Sequence, residues 1–326
     1  MLFSNKKVLV TGGTGFVGRH IVRQLEENGA CVRIPLHHRP LTYDCEGVET
    51  VHADLARWED CREASRGVDY VIHAAGAAGA AGVTGSDQMD GITLNLILTT
   101  QVLKAAWAEG VRGVLVFGSS TGYPAYDRAV TEDEMWLDEP HPSYFGYGWM
   151  RRYLEKLAEY VSRESTCRVI VVRPSAVYGS WDNFSDKTSH VIPALIMRAV
   201  RKENPFLVWG RGNEVRDFVH VTDFAKGCLL ALEKCSHFEM VNIGAGRSYT
   251  IAEIVSTILD AAEHRGASVV FDHTKPATIP CRMLDISKAR RLLGFEPEVG
   301  LEQGIRDTVQ WYTRNVACKA RSLSDG

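Results

Sequence analysis

The segment Val8-Leu-Val-Thr-Gly12-Gly-Thr14-Gly15-Phe16-Val17-Gly18 constrains this chain more than any other part of it. A short apolar run enters the first glycine, and a stretch with helical periodicity leaves the last. Strand, glycine turn and helix in that order cradle an anion, because the helix start offers unpaired N–H groups and the positive end of its dipole. Gly12 permits the tight turn, Gly15 lets the backbone approach a pyrophosphate, and Gly18 lets helix and strand pack closely. Thr14, Phe16 and Val17 are counted with them as cofactor contacts. A glycine-rich turn with no ligand is the alternative, but the position between a strand and a helix supports a dinucleotide site.

The alternation continues downstream. Runs rich in Val and Ile at Lys7–Val10, Cys31–Leu36, Val48–His52, Val68–His73, Val114–Phe117 and Arg168–Val172 read as strands buried on both faces. Helical patterns lie between them at Gly18–Asn28, Trp58–Ser65, Ile92–Glu109 and Tyr147–Ser165. The pattern predicts an α/β fold: a Rossmann-type, doubly wound parallel sheet over residues 1–174 and a smaller mixed α/β substrate lobe over 175–326. Segments near 217–245 are expected to return to the sheet. Pro174, Gly179, Pro193, Pro205, Gly210 and Gly212 punctuate the second half, which is the composition of ligand-binding loops. Thr250-Ile-Ala-Glu253 reads as a capping box that opens another helix.

Composition narrows the function classes. A net charge of −3 gives no pull toward nucleic acid or a membrane surface. No apolar run approaches the roughly 18 residues of a membrane span. The eight cysteines are scattered with no CxxC pair, so neither a disulfide framework nor a metal site is expected, and the cytoplasm is the expected location.

The second strand bears on cofactor choice. NAD-binding folds usually place an acid about 20 residues past the glycines, on the ribose 2′-OH. Here the strand runs into His37-His38-Arg39, with no carboxylate until Asp44. A basic cluster suits a 2′-phosphate, so NADP is expected ahead of NAD; a solvated basic loop is the alternative. Asp54 and Leu55, after the third strand, are assigned to the adenine, and Ala74, Ala75 and Gly76 to small positions beside the cofactor.

Gly118-Ser119-Ser120-Thr121-Gly122-Tyr123-Pro124 closes the fifth strand, where open α/β sheets place ligands. Tyr147 and Arg151 stand four residues apart, on one helix face. A cation beside a phenol favours the phenolate and can hold a cofactor ribose, while a serine hydroxyl opposite can bind the substrate oxygen as hydride moves. A packed tyrosine beside a surface arginine would explain the pair in isolation. The glycine turn and the Ser-Ser-Thr strand end make it read as a site.

Thr11–Gly18, Ser119–Pro124 and Tyr147–Arg151 resemble extended short-chain dehydrogenases. The segments Tyr178–Phe184, Thr188–Leu195, Val208–Asp223, Val241–Gly246, Phe271–Pro276 and Leu284-Asp-Ile-Ser resemble the GDP-L-fucose synthase branch. That resemblance implies NADP in the N-terminal domain, a GDP-sugar in the C-terminal one, and epimerisation at C3 and C5 of a 4-keto-6-deoxy sugar before reduction at C4. It implies catalytic roles for Ser119 and Tyr147, a general acid at His190, and nucleotide or diphosphate contacts at Arg198, Trp209 and Arg216. Pro174 and Val177 join the cofactor set, and Ser120, Thr121, Ala176, Asn183, Val191 and Arg282 the substrate set. Core packing would explain Trp209 by itself, and a structural role His190. Relatives pair through the helices corresponding to Ile92–Glu109 and Tyr147–Ser165, so a homodimer is implied.

The departures from that branch shape the expectation. Arg151 replaces a lysine, Thr121 a cysteine base, Ala176 an asparagine, and Lys275-Pro-Ala277-Thr278 a segment that carries a carboxylate. An alcohol lacks the acidity that lets a thiol serve as base. The expected activity is therefore an NADP-dependent reductase or epimerase acting at C4 of a nucleotide-linked, GDP-type sugar. Three alternatives stay open: a C4 epimerase that retains its cofactor, the full 3,5-epimerase/4-reductase, and a non-catalytic NADP-binding regulator. The presence of Tyr147 speaks against the last.

Overall fold

The structure is a computed structural model that describes residues 2–43, 45, 47–76, 86–274 and 279–318. Strands β1 (Lys7–Thr11), β2 (Cys31–Leu36), β3 (Glu49–His52), β4 (Tyr70–His73) and β5 (Gly113–Phe117) alternate with helices α1 (Phe16–Glu27), α2 (Trp58–Ser65) and α3 (Ser86–Ala108). The short β6 (Ala129–Val130) precedes α4 (Phe145–Glu164), β7 (Arg168–Pro174), β8 (Ala176–Tyr178), α5 (Val191–Val200) and β9 (Phe206–Trp209). Then come β10 (Val215–Arg216), β11 (Phe218–His220), α6 (Val221–Lys234), β12 (Glu239–Ile243), β13 (Tyr249–Thr250) and α7 (Ile251–Ala261). The described chain finishes with β14 (Val269–Asp272), β15 (Cys281–Leu284), α8 (Ser287–Leu293) and α9 (Leu301–Tyr312).

Seven strands form one parallel sheet in the order β12-β7-β5-β4-β1-β2-β3. The chain reverses its direction of winding between β1 and β4, and ligands bind outside the carboxyl ends of strands at such a switch. Apolar side chains of α1, α6 and α8, among them Ile21, Phe224 and Leu293, cover one face. Cys61 of α2, Val102 of α3 and Val161 of α4 cover the other. A third core, including Ile196, Ile258 and Ile305, joins α5, α7 and α9.

Two details differ from the sequence reading. The strand β3 is not buried on both faces: Thr50 and His52 are exposed, because it is the outermost strand of the sheet. Helix α3 begins at Ser86 rather than near Ile92, since its first turns are polar and hide the apolar period. The capping box at α7 forms as drawn, with the Glu253 N–H donating to Thr250 Oγ1 at 3.2 Å and the Thr250 N–H to Glu253 Oε2 at 2.7 Å. No helix among the described residues is long and apolar enough to cross a membrane.

Candidate active site

The glycine turn sits at the switch between β1 and β4. Gly12 has φ +69°, and a Cβ there would lie 2.7 Å from Ala75 N. A Cβ on Gly18 would run into the Gly12 carbonyl. Larger residues at either position would push α1 off the strand ends. The N-cap of α1 is Gly15, and among the described residues no side-chain cap bond is made there. Ala74 and Ala75 are anchored beside the turn by Thr11, whose carbonyl accepts from Ala74 N and whose Oγ1 accepts from Ala75 N. This cradle of close backbone and uncapped N–H groups fits the pyrophosphate of a dinucleotide. His73, just before it, is sealed between Thr11 Oγ1 (2.8 Å) and Thr99 Oγ1 (3.2 Å). Burial, with the nearby Arg151 charge, lowers its pKa to about 3 and keeps it neutral.

His37, His38 and Arg39 are exposed just beyond β2. Leu55 is buried, and the Asp54 carboxylate accepts from Ala56 N at 3.0 Å. Gly76 borders Asn95, while Asp44 lies outside the described residues.

The fifth strand delivers the hydroxyls. Ser119 Oγ and Thr121 Oγ1 are 2.8 Å apart, and Ser119 Oγ also accepts from Thr121 N at 3.1 Å. Across from them, Arg151 is fixed at three points. It donates to Tyr147 Oη at 2.6 Å, to the Phe117 carbonyl at 3.0 Å and to Asn95 Oδ1 at 3.4 Å. The start of α4 presses onto the hydroxyl turn: a Cβ on Gly148 would lie 2.8 Å from the Thr121 carbonyl. Ser119, Thr121, Tyr147 and Arg151 are thus gathered at one strand end.

Sequence reading did not single out Asn95. It is 2% exposed and donates to the Gly91 carbonyl while facing Arg151. A lone amide in the run Thr93-Leu-Asn95-Leu-Ile-Leu was the available signal. Nor did it single out the frame beneath. Arg173, fully buried, donates to Glu155 (2.6 Å), Tyr123 Oη (2.8 Å) and the Glu132 carbonyl (2.7 Å). Tyr123 Oη donates in turn to Asn242 Oδ1 at 2.6 Å. This buried network joins β7, α4, β12 and the turn that carries Ser119.

The strands β10 and β15 contribute cations. The register of β10 with β15 sets Arg216 beside Arg282. Arg216 donates to the carbonyls of Val215, Pro280 and Ile279, using three of the five N–H groups of a guanidinium. Burial lowers both pKa values, and for Arg216 the neighbouring Arg282 lowers it further while Glu214 partly offsets the shift. Arg282 lies 4.4 Å from the Tyr144 ring centroid, and it lines a small cavity with Ser120, Tyr123 and Cys281.

Other expected site residues are more dispersed. His190 is the N-cap of α5 with an exposed side chain, although the crowded protein around it still lowers its pKa. Val191 is exposed beside it. Asn183 donates to Thr188. Trp209, 61% exposed, ends β9. Arg198 is turned onto its own lobe, donating to Glu203 at 2.7 Å and to the Leu207 carbonyl. Pro174 ends β7, and Ala176 and Val177 lie in β8, with Ala176 exposed. Residues 275–278, where the missing carboxylate falls, lie outside the described residues.

Residues 8–244 match the family described as the NAD dependent epimerase/dehydratase family. The chain is 31% identical to a protein named putative GDP-L-fucose synthase 2 of Arabidopsis thaliana, covering 98% of this chain and 95% of that one. It is 29% identical to a Streptomyces dTDP-4-dehydro-6-deoxy-D-allose reductase, with 95% and 97% covered. Among solved structures, a Thermotoga maritima UDP-glucose 4-epimerase with UDP-glucose superposes with a TM-score of 0.85. It shares 26% identity with this chain, covering 95% of it and 99% of the epimerase.

Proposed function

The chain belongs to the NAD dependent epimerase/dehydratase family, and we propose that it transfers hydride at C4 of a nucleotide-linked sugar, with NADP as cofactor and a GDP-linked 4-keto sugar as substrate class. The observation that carries this reading is the pair of hydrogen-bonded couples Ser119–Thr121 and Tyr147–Arg151 beside the carboxyl end of β5. When bound, the nicotinamide supplies or accepts the hydride.

The protein's own groups do the rest. Arg151 donates to Tyr147 Oη, so the phenol oxygen is an acceptor there and its own proton can pass to the C4 oxygen of the sugar. Ser119 and Thr121 share one hydrogen bond, so one of the two hydroxyl protons can be offered to the same oxygen. Together they stabilise the charge that develops on that oxygen as hydride moves. Arg216 and Arg282 hold the diphosphate, whose negative charge offsets their mutual repulsion. Trp209 offers a face on which a base can stack. Scattered cysteines with no CxxC pair fit a reducing compartment, which favours the cytoplasm. The helices α3 and α4 pack together and expose Ile97, Trp107, Trp149 and Tyr160, a surface suited to a homodimer.

A second reading, which adds epimerisation at C3 and C5, needs a base to remove a carbon-bound proton. The Thr121 hydroxyl is hydrogen-bonded to Ser119 Oγ, another alcohol that cannot activate it as a base. Cys281 shares the cavity wall with Ser120, but burial raises its pKa, which opposes the thiolate. The test is turnover of a 4-keto-6-deoxy nucleotide sugar with NADPH in D₂O. Reduced product without enzyme-dependent deuterium at C3 or C5 is expected. Deuterium at both carbons at the rate of turnover establishes the second reading, and absence of reduction with every such sugar refutes the first.

A further inference from the structure

We propose that recognition of the cofactor's 2′-phosphate is proton-linked through His37, His38 and His52, so that preference for NADPH over NADH is strong in mildly acid solution and fades as pH rises. This rests on the reading that the adenosine ribose lies at the end of β2.

Three imidazoles converge there. The rings of His37 and His38 have centroids 3.6 Å apart with planes tilted by 37°. His52 comes from the neighbouring strand, where it pairs in register with Leu36, and its ring lies 6.4 Å from that of His37, edge-on. All three side chains are exposed, as is Arg39 beside them. His52 was not among the residues assigned from sequence; only the β2–β3 register brings it to the cluster.

The surrounding charges are few. Glu49 sits at the far end of β3, held by Lys7 and Arg33. Asp54, two residues past His52, accepts from its own turn at Ala56 N. On the glycine-turn side, Tyr43 Oη donates to the Gly13 carbonyl, and Arg19 lies over the Tyr43 ring at 4.8 Å. Asp44 and Glu46 lie outside the described residues.

A phosphate monoester carries about 1.5 to 2 negative charges at about pH 7. Placed beside the rings it favours their protonated forms and gains charge-assisted hydrogen bonds. Binding then takes up protons. Imidazole is the side chain whose charge changes between about pH 5 and 8, so the linkage falls in the physiological range. The sign follows: protons present at low pH strengthen binding, and their loss weakens it by up to about tenfold per pH unit for each proton taken up. Arg39 keeps its charge throughout and leaves a residual preference. An arginine-only site would show no such slope.

The experiment titrates the full chain with NADPH and with NADH at constant ionic strength from about pH 6.5 to about pH 8.5, a range over which the phosphate, with its second pKa of about 6, only gains negative charge and so cannot itself weaken binding. Calorimetry in two buffers of different ionisation enthalpy counts the protons bound. NADPH binding is expected to weaken about tenfold or more across this range with net proton uptake, and NADH binding to change less than about twofold. His37→Gln combined with His38→Gln and His52→Gln, all at exposed sites, is expected to flatten the NADPH curve. A preference for NADPH that is unchanged with pH and takes up no protons overturns the linkage and leaves the NADP reading standing on Arg39. Equal affinities at every pH overturn both. A triple variant that keeps the full slope removes the histidines as its source.

Discussion

Replacing Arg151 by methionine tests the reading of the site most directly. The side chain keeps a flexible apolar stem but loses the guanidinium and with it every donor. Three acceptors are affected: Tyr147 Oη, the Phe117 carbonyl and Asn95 Oδ1. A hydrogen bond involving a charged group contributes about 1.5–3 kcal/mol. If the Arg151–Tyr147 bond acts in the transition state, its loss lowers kcat/KM about ten- to hundredfold. The carbonyl and the amide lose a donor at the same time, and an unsatisfied buried acceptor costs about 1–3 kcal/mol. The melting temperature is therefore expected to fall by a few degrees. Arg151→Lys separates the two effects: an ammonium keeps the charge near Tyr147 but not the planar fork that reaches two further acceptors. It is expected to recover most of the rate and little of the stability. Single-turnover NADPH oxidation with a 4-keto nucleotide sugar, together with melting curves, reads both quantities. A methionine variant within about threefold of the parent rate would show that the guanidinium is a structural clasp for α3 and β5 and not part of proton delivery.

Tyr147→Phe is expected to abolish turnover while leaving NADPH binding nearly intact, measured by fluorescence titration; more than a tenth of the parent rate would redirect the proton-transfer role to Tyr144. Asp182 gives a pH signature: burial raises its pKa to about 7, so the folded chain holds the proton more tightly than the unfolded one, and the associated stability is present below about pH 4 and lost as pH rises to about 7. In Asp182→Asn, which keeps an acceptor for Asn183 N, the melting temperature relative to the parent should rise by a few degrees across that range and stay level above it; a pH-independent difference would show that the carboxyl is not held protonated.

How much of this was legible in sequence follows from which interactions are local. The strands β1, β2, β4, β5 and β7 lie inside the sheet, so they are mostly apolar along their length, and Cys31–Leu36 and Trp58–Ser65 form with the bounds the pattern predicts. The glycine turn is local as well, and its steric reasons are visible at Gly12 and Gly18. The four-stranded sheet β13-β10-β15-β6 is different. The strands β6, β10 and β13 are two residues long, and no periodicity can announce an element of that length. They exist because distant segments pair, Val215 with Thr250 and Arg216 with Arg282. Arg216 and Arg282 could each be named as a cation near the substrate, but not as neighbours. The same division runs through the catalytic set. Tyr147 and Arg151 meet because one helical turn separates them. The distance from either to Ser119 is fixed by Gly148 against the Thr121 carbonyl and by the buried Arg173–Glu155 pair. The chain encodes the reactive groups within short motifs, but it encodes their spacing in buried contacts between residues that no motif would select. Arg173 is a case in point: it touches none of the proposed reacting atoms, yet its fully buried guanidinium joins the helix of Tyr147 to the turn of Ser119.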